Sequence, residues 1–157
     1  MELRDLDLPA LVTLAAPAVT EALVTRLREQ GYDGVRASHG YVVQRLLDDE
    51  PTIGGLAAAL GMTQQGASKQ VADLERLGYA ERVPAPRDQR VRHVRLTERG
   101  RAMVAATRDA RRDLEGRLVD AIGSHKAGAA RDALAALVDV LGLAEPVRRR
   151  AVPAPRD

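Results

Sequence analysis

Cysteine is absent from this sequence, as are phenylalanine and tryptophan, and tyrosine occurs only three times. Without cysteine there can be no disulfide, no thiol-based redox sensing and no cysteine-ligated metal. The shortage of rings argues against a holder of single-stranded nucleic acid, because such proteins stack bases on aromatic faces. A large excess of one charge is also missing. The formal net charge is +2 at pH 7, which excludes a uniformly basic nucleic-acid coat. No stretch approaches the roughly 20 apolar residues of a membrane span. Met1 to Asp7 alternates charge with leucine, unlike a signal peptide. A cytoplasmic protein with no membrane partner is the expectation.

What remains is ample for a core. The chain has 157 residues, 45% of them hydrophobic, which suits one compact domain with an appended dimerisation element. Its apolar side chains are mostly Leu, Val and Ala, which pack well between helices. Charge is unevenly spread. Arg82 to Arg101 holds seven arginines against only Asp88 and Glu98, a local positive segment on a balanced chain.

Periodicity predicts a helix over Asp7 to Gln30, with Asp7 as cap, Pro9 in the first turn, a kink at Pro17 and a stop at Gly31. A second is predicted from Ser38, as its cap, to Asp48. Pro51-Thr52 opens a short helix, Ile53 to Leu60, which stops at Gly61. Thr63 caps the next, Gln64 to Leu77, which stops at Gly78. Two short helices joined by a tight glycine-bearing turn form a helix-turn-helix. Tyr79 to Val83 and Arg92 to Leu96 then read as two strands around a proline-bearing loop, that is, a β-hairpin wing. Thr97 caps a long helix to about Ile122. A last helix runs from about Ala127 to Leu141. The fold class is therefore mainly α with a small β-hairpin wing: a winged helix-turn-helix domain over 36–100, and a helical dimerisation region over 1–31 and 101–143. Residues 144–157, rich in Arg and Pro, are expected to be a disordered tail.

The helix from Gln64 buries Ala67, Val71 and Leu74 by its spacing. Its other face offers Thr63, Gln64, Gln65, Ser68 and Lys69 near the N-terminal end, the part that reaches base edges in helix-turn-helix docking. Gln pairs with adenine, and Lys donates to guanine or phosphate. In the hairpin, Arg87, Arg90 and Arg92 surround Asp88. A carboxylate two residues away can orient Arg90, and an oriented arginine suits a narrow minor groove. Ser38, His39, Arg76 and His93 are candidate phosphate contacts. The bland readings are a solvated helix face and a surface ion pair in a turn.

The stretch Gly61-Met62-Thr63, Asp73-Leu74-Glu75-Arg76-Leu77-Gly78-Tyr79, Asp88-Gln89-Arg90 and Leu96-Thr97-Glu98-Arg99-Gly100 resembles the signature of the MarR family of bacterial transcriptional regulators. The resemblance covers about Ser38 to Gly100 by motif. It implies a triangular dimer with recognition helices in successive major grooves, Arg90 as the minor-groove arginine and Asp88 as its partner. It also implies a small aromatic or phenolic effector between the dimerisation helices and the winged domain. The chain departs from the pattern at Gly55, where the family often has an acidic residue.

Leu11, Leu14, Val19, Leu114, Leu118, Leu134, Leu137, Val138 and Leu141 form apolar stripes on the outer helices, which fits a homodimer better than a self-contained bundle. His39, His93 and His125 lack metal-ligand spacing, and no catalytic motif is present, so no metal, cofactor or enzymatic activity is expected. Double-stranded DNA is the expected partner and repression the expected role. The alternative is a winged-helix module that binds protein alone, for which the recognition face is too polar.

Overall fold

The computed structural model describes residues 2–85 and 90–153. After a 3-10 turn at Leu3–Asp5 come helices α1 (Leu8–Glu29), α2 (Ala37–Arg45), α3 (Ile53–Leu60) and α4 (Gln64–Arg76). Strands β1 (Ala80–Pro84) and β2 (Arg92–Leu96) follow, then α5 (Glu98–Ile122), α6 (Ser124–Val140) and a short α7 (Ala144–Arg148). The strands pair antiparallel, with Ala80 opposite Leu96 and Pro84 opposite Arg92.

Helix starts follow the expected chemistry. Asp7, Thr52, Thr63 and Thr97 each accept a backbone N–H three residues on, from Ala10, Gly55, Gly66 and Gly100, which satisfies a donor that the first turn leaves orphaned. The α3–α4 turn needs Gly61, whose φ is +63°. At α2 the cap is two residues earlier than expected. Arg36 is the cap residue, Ser38 lies inside the helix, and the Arg36 N–H donates to His39 Nδ1 at 3.2 Å. Helix α1 runs unbroken through Pro17.

The core lies between α2, α3, α4, the hairpin and the first half of α5. Val42, Leu56, Leu60, Val71, Leu74, Tyr79 and Val94 are fully buried there. β2 alternates as expected, with Val94 and Leu96 inward and Arg95 outward. Its Val94 N–H donates to the Pro51 carbonyl at 2.9 Å, which docks the hairpin on the start of α3.

The joint between α4, β1 and α5 explains the Leu96-Thr97-Glu98-Arg99-Gly100 run. Thr97 Oγ1 donates to the Gly78 carbonyl at 2.6 Å, and the Thr97 N–H donates to the Tyr79 carbonyl at 3.1 Å. A Cβ at Gly100 would stand 2.0 Å from that same Tyr79 oxygen, so only glycine fits. Arg99 then lies over the Tyr32 and Tyr79 rings, 5.6 and 5.3 Å from their centroids, and donates to the Gly31 carbonyl at 2.7 Å. This cation–π clasp ties α5 to the end of α1.

Two expectations are corrected. The tail expected to be disordered from residue 144 begins with helix α7, and Arg150 beyond it pairs with Asp48 at 3.0 Å. Helix α1 is also long and apolar enough to cross a membrane by length and composition, with a mean hydropathy of 1.6 over an 18-residue window. Counting uninterrupted runs misses it because Thr, Pro and the single charge of Glu21 interrupt Leu8 to Thr25 without making it polar overall. In the fold this helix packs on α5, with Leu27 buried and Leu14 and Val19 exposed.

Candidate nucleic-acid interface

Helix α4 buries Ala67, Val71 and Leu74. Its opposite face presents Gln64, Gln65, Lys69 and Arg76 to solvent, with Thr63 at its cap. Ser68 is half-buried, because the Arg82 guanidinium reaches its hydroxyl and its carbonyl, each at 3.4 Å. The same arginine pairs with Glu75 at 3.5 Å, and its backbone N–H donates to that carboxylate at 3.1 Å. Arg82 therefore fixes the outer face of α4 against β1. Sequence reading missed it because Glu75 and Arg82 lie on either side of a chain reversal, where helical spacing carries no information.

The basic segment divides by role. Arg82 serves α4, Arg95 pairs with Glu81 across the strands at 2.8 Å, Arg99 forms the tyrosine clasp, and Arg101 donates to the Leu96 carbonyl at 2.7 Å. Four of the seven arginines are thus engaged in holding the domain together. Arg92 is exposed at the start of β2, and Arg90 lies in the turn just before it. Arg87 and Asp88, expected as wing residues, lie outside the described residues.

The candidate phosphate contacts separate too. Arg76 is exposed on α4, 3.5 Å from Asp73. His93 Nδ1 contacts the Glu50 carbonyl, so its ring fastens the hairpin to the loop before α3. Ser38 is half-buried within α2. His39 is 1% exposed, which corrects its candidacy as a phosphate contact to a structural role.

His39 instead sits in a charged joint between α2 and α4. Its Nδ1 accepts the Arg36 N–H, while the Arg36 guanidinium lies 3.1 Å from Nε2 and also pairs with Asp73. A neutral imidazole has one acceptor nitrogen, so only one of the two His39 contacts is a hydrogen bond, and a protonated ring could accept neither. Burial, and then the Arg36 charge, hold the His39 pKa below its ordinary value, with Asp73 opposing in part. At Asp73, desolvation pushes the carboxyl up but is outweighed by the hydrogen bonds and charges of Arg36 and Arg76, so its pKa is lowered.

Behind this joint is a cavity of about 630 Å³ between α1, α2 and α5, with Leu27, Val43 and Met103 among its apolar walls and Arg36, Arg108 and Arg111 among its cations. Among the described residues, no group of three or more His, Cys, Asp or Glu is placed to hold a metal ion.

Residues 34–91 match the model of the MarR family. No curated protein sequence matches the chain significantly. Solved structures share the fold. FabT of Streptococcus pneumoniae in complex with DNA is 20% identical, with 85% of this chain and 94% of that one covered and a TM-score of 0.70. A Staphylococcus aureus MepR variant bound to an oligodeoxyribonucleotide is 19% identical, with coverage of 87% and 99% and a TM-score of 0.62. A MarR-family transcriptional regulator from a Rhodococcus species is 22% identical, with coverage of 87% and 95% and a TM-score of 0.60. The chain is thus similar to the MarR family over residues 34–91 and shares its fold with these solved structures.

Proposed function

We propose that the protein is a sequence-specific transcriptional regulator, a repressor, that binds a pseudo-palindromic operator in duplex DNA as a homodimer. The observation that carries this reading is the outer face of α4, where an uncharged-polar and basic row, Gln64, Gln65 and Lys69, stands exposed beside the hairpin. That face enters the major groove, with Thr63 and Ser68 at its edges, and the wing arginines Arg87, Arg90 and Arg92 follow the minor groove, with Asp88 as the partner of Arg90. Arg76 supplies a phosphate contact. Two of the structural relatives were solved with DNA bound, which supports the reading.

Dimerisation falls to α1, α6 and the distal half of α5, over 1–31 and 101–143, with the winged domain over 36–100. Leu14, Leu118 and Leu134 are 62%, 47% and 43% exposed on these helices. A second copy of the chain packed on these helices would remove this apolar surface from water. The α1–α2–α5 cavity, apolar with cationic edges, suits a small aromatic or phenolic effector.

Sedimentation of the pure protein, alone and with randomised duplex DNA, followed by sequencing of the bound fraction, tests the proposal. A dimer that enriches an inverted repeat with half-sites about 10 bp apart is expected. On that operator, Lys69→Ala should weaken binding and Arg90→Ala should weaken it more, by roughly 1–3 kcal/mol. A dimer that enriches nothing at low and moderate salt would refute the DNA reading and point to a protein partner. A monomer in detergent-free buffer would refute the dimer.

A further inference from the structure

The chain beyond α6 makes a second kind of connection between the two halves of the molecule. Helix α7 ends in a paired-bond reversal, with the Arg150 N–H donating to the Val147 carbonyl at 3.1 Å and the Ala151 N–H to the Pro146 carbonyl at 2.9 Å. Such a reversal requires a left-handed residue and ordinarily takes glycine. Here the position is held by Arg150 at φ +48°, the sole non-glycine positive φ among the described residues. An L side chain disfavours that conformation, and the Arg150 side chain makes a contact that glycine could not. Its Nη1 pairs with Asp48 Oδ1 at 3.0 Å, in the turn that follows α2.

The reversal also aims the chain. Val147, Arg150 and Val152 line the α1–α2–α5 cavity. Pro153 then arrives at the α3–α4 turn, 3.9 Å from where a Cβ on Gly61 would stand. A segment that starts at the end of α6 thus crosses the cavity and finishes on the helix-turn-helix.

We propose that Val147–Pro153 is a strap that covers the cavity and is latched to the winged domain by the Arg150–Asp48 ion pair. While latched, it adds the two valine side chains to the cavity wall and tethers the α3–α4 turn to α6. Unlatched, it leaves the cavity more open and removes the tether in the same movement. The inference rests on the cavity and its covering and not on DNA binding, so the two can fail independently.

Because the chain has no cysteine, Val152→Cys supplies a single thiol on the strap whose reaction rate with an aromatic disulfide reagent reports unlatching. Asp48→Arg, on an exposed side chain, places like charge against Arg150 and should speed labelling about two- to fivefold, the range of a solvent-screened ion pair. Adding Arg150→Asp to that variant reverses the pair and should restore the slow rate. Far-ultraviolet circular dichroism confirms that each variant is folded. An unchanged rate in Asp48→Arg, or a fast rate that the reversed pair does not slow, would overturn the strap.

Discussion

Gly100 offers the sharpest test of how the winged domain is joined to its long helix. Alanine there would place a Cβ 2.0 Å from the Tyr79 carbonyl oxygen. A carbon facing a carbonyl oxygen needs about 3.3 Å, so the start of α5 must retreat by roughly 1 Å. It cannot do so freely. Thr97, three residues earlier, binds both Gly78 and Tyr79 through hydrogen bonds of 2.6 and 3.1 Å, and Tyr79 is fully buried. Overpacking of this kind costs about 1–3 kcal/mol, and weakening the two Thr97 bonds adds about 1 kcal/mol each. The expected loss is on the order of 3–5 kcal/mol, or a fall in Tm of roughly 10 °C for a chain of this size. Gly116 in the same helix is the control, because a Cβ there meets nothing within 4 Å. Gly116→Ala should be neutral or stabilise by about 0.5–1 kcal/mol. Urea unfolding followed by circular dichroism, at one protein concentration so that association is held constant, measures both. A Gly100→Ala protein within about 1 kcal/mol of the parent would refute the close-contact argument.

Other outcomes follow from the same geometry. Gly55 is the third residue of α3, and its N–H donates to the Thr52 hydroxyl at 3.1 Å. A glutamate there would complete the reciprocal cap, and its Cβ meets only ordinary contacts. Gly55→Glu should therefore raise stability by about 1 kcal/mol, read as a higher urea midpoint with an unchanged slope. His39 makes stability depend on pH. Because its folded pKa lies below the ordinary 6.5, the unfolded chain binds the proton more readily, and stability is present above that value and lost as pH falls below it. Unfolding midpoints measured across this range should decline toward acid, and His39→Gln should flatten the decline. An unaltered slope in that variant would remove His39 from the cause.

Much of the fold was legible because its signals are local. Thr52, Thr63 and Thr97 announce helix starts by donors three residues away, Gly61 and Gly78 announce stops, and the alternation of Val94 and Leu96 with Arg95 marks a half-buried strand. The exposed polar row on α4 was legible for the same reason, since helical spacing sets which residues share a face. The basic segment was legible only as a sum. Its division into Arg82, Arg95, Arg99 and Arg101 inside the domain and Arg92 on its surface depends on partners as distant as Gly31, Ser68 and Glu75. His39 was placed at the surface for a related reason, because a residue one position past an expected cap looks exposed until α4 packs against α2.

The sequence by itself determined the order of the helices and strands through the long α5, which faces are apolar, and that charge collects after the second short helix. Those properties depend on bond rotations and hydrogen bonds within a few residues. The tertiary structure alone decided which arginines are available to a partner, that Gly100 must lack a side chain, that His39 is buried, and that the chain beyond α6 folds back across a cavity. Each of these is set by an atom from a remote part of the chain arriving within a few ångströms, and no local pattern encodes that arrival.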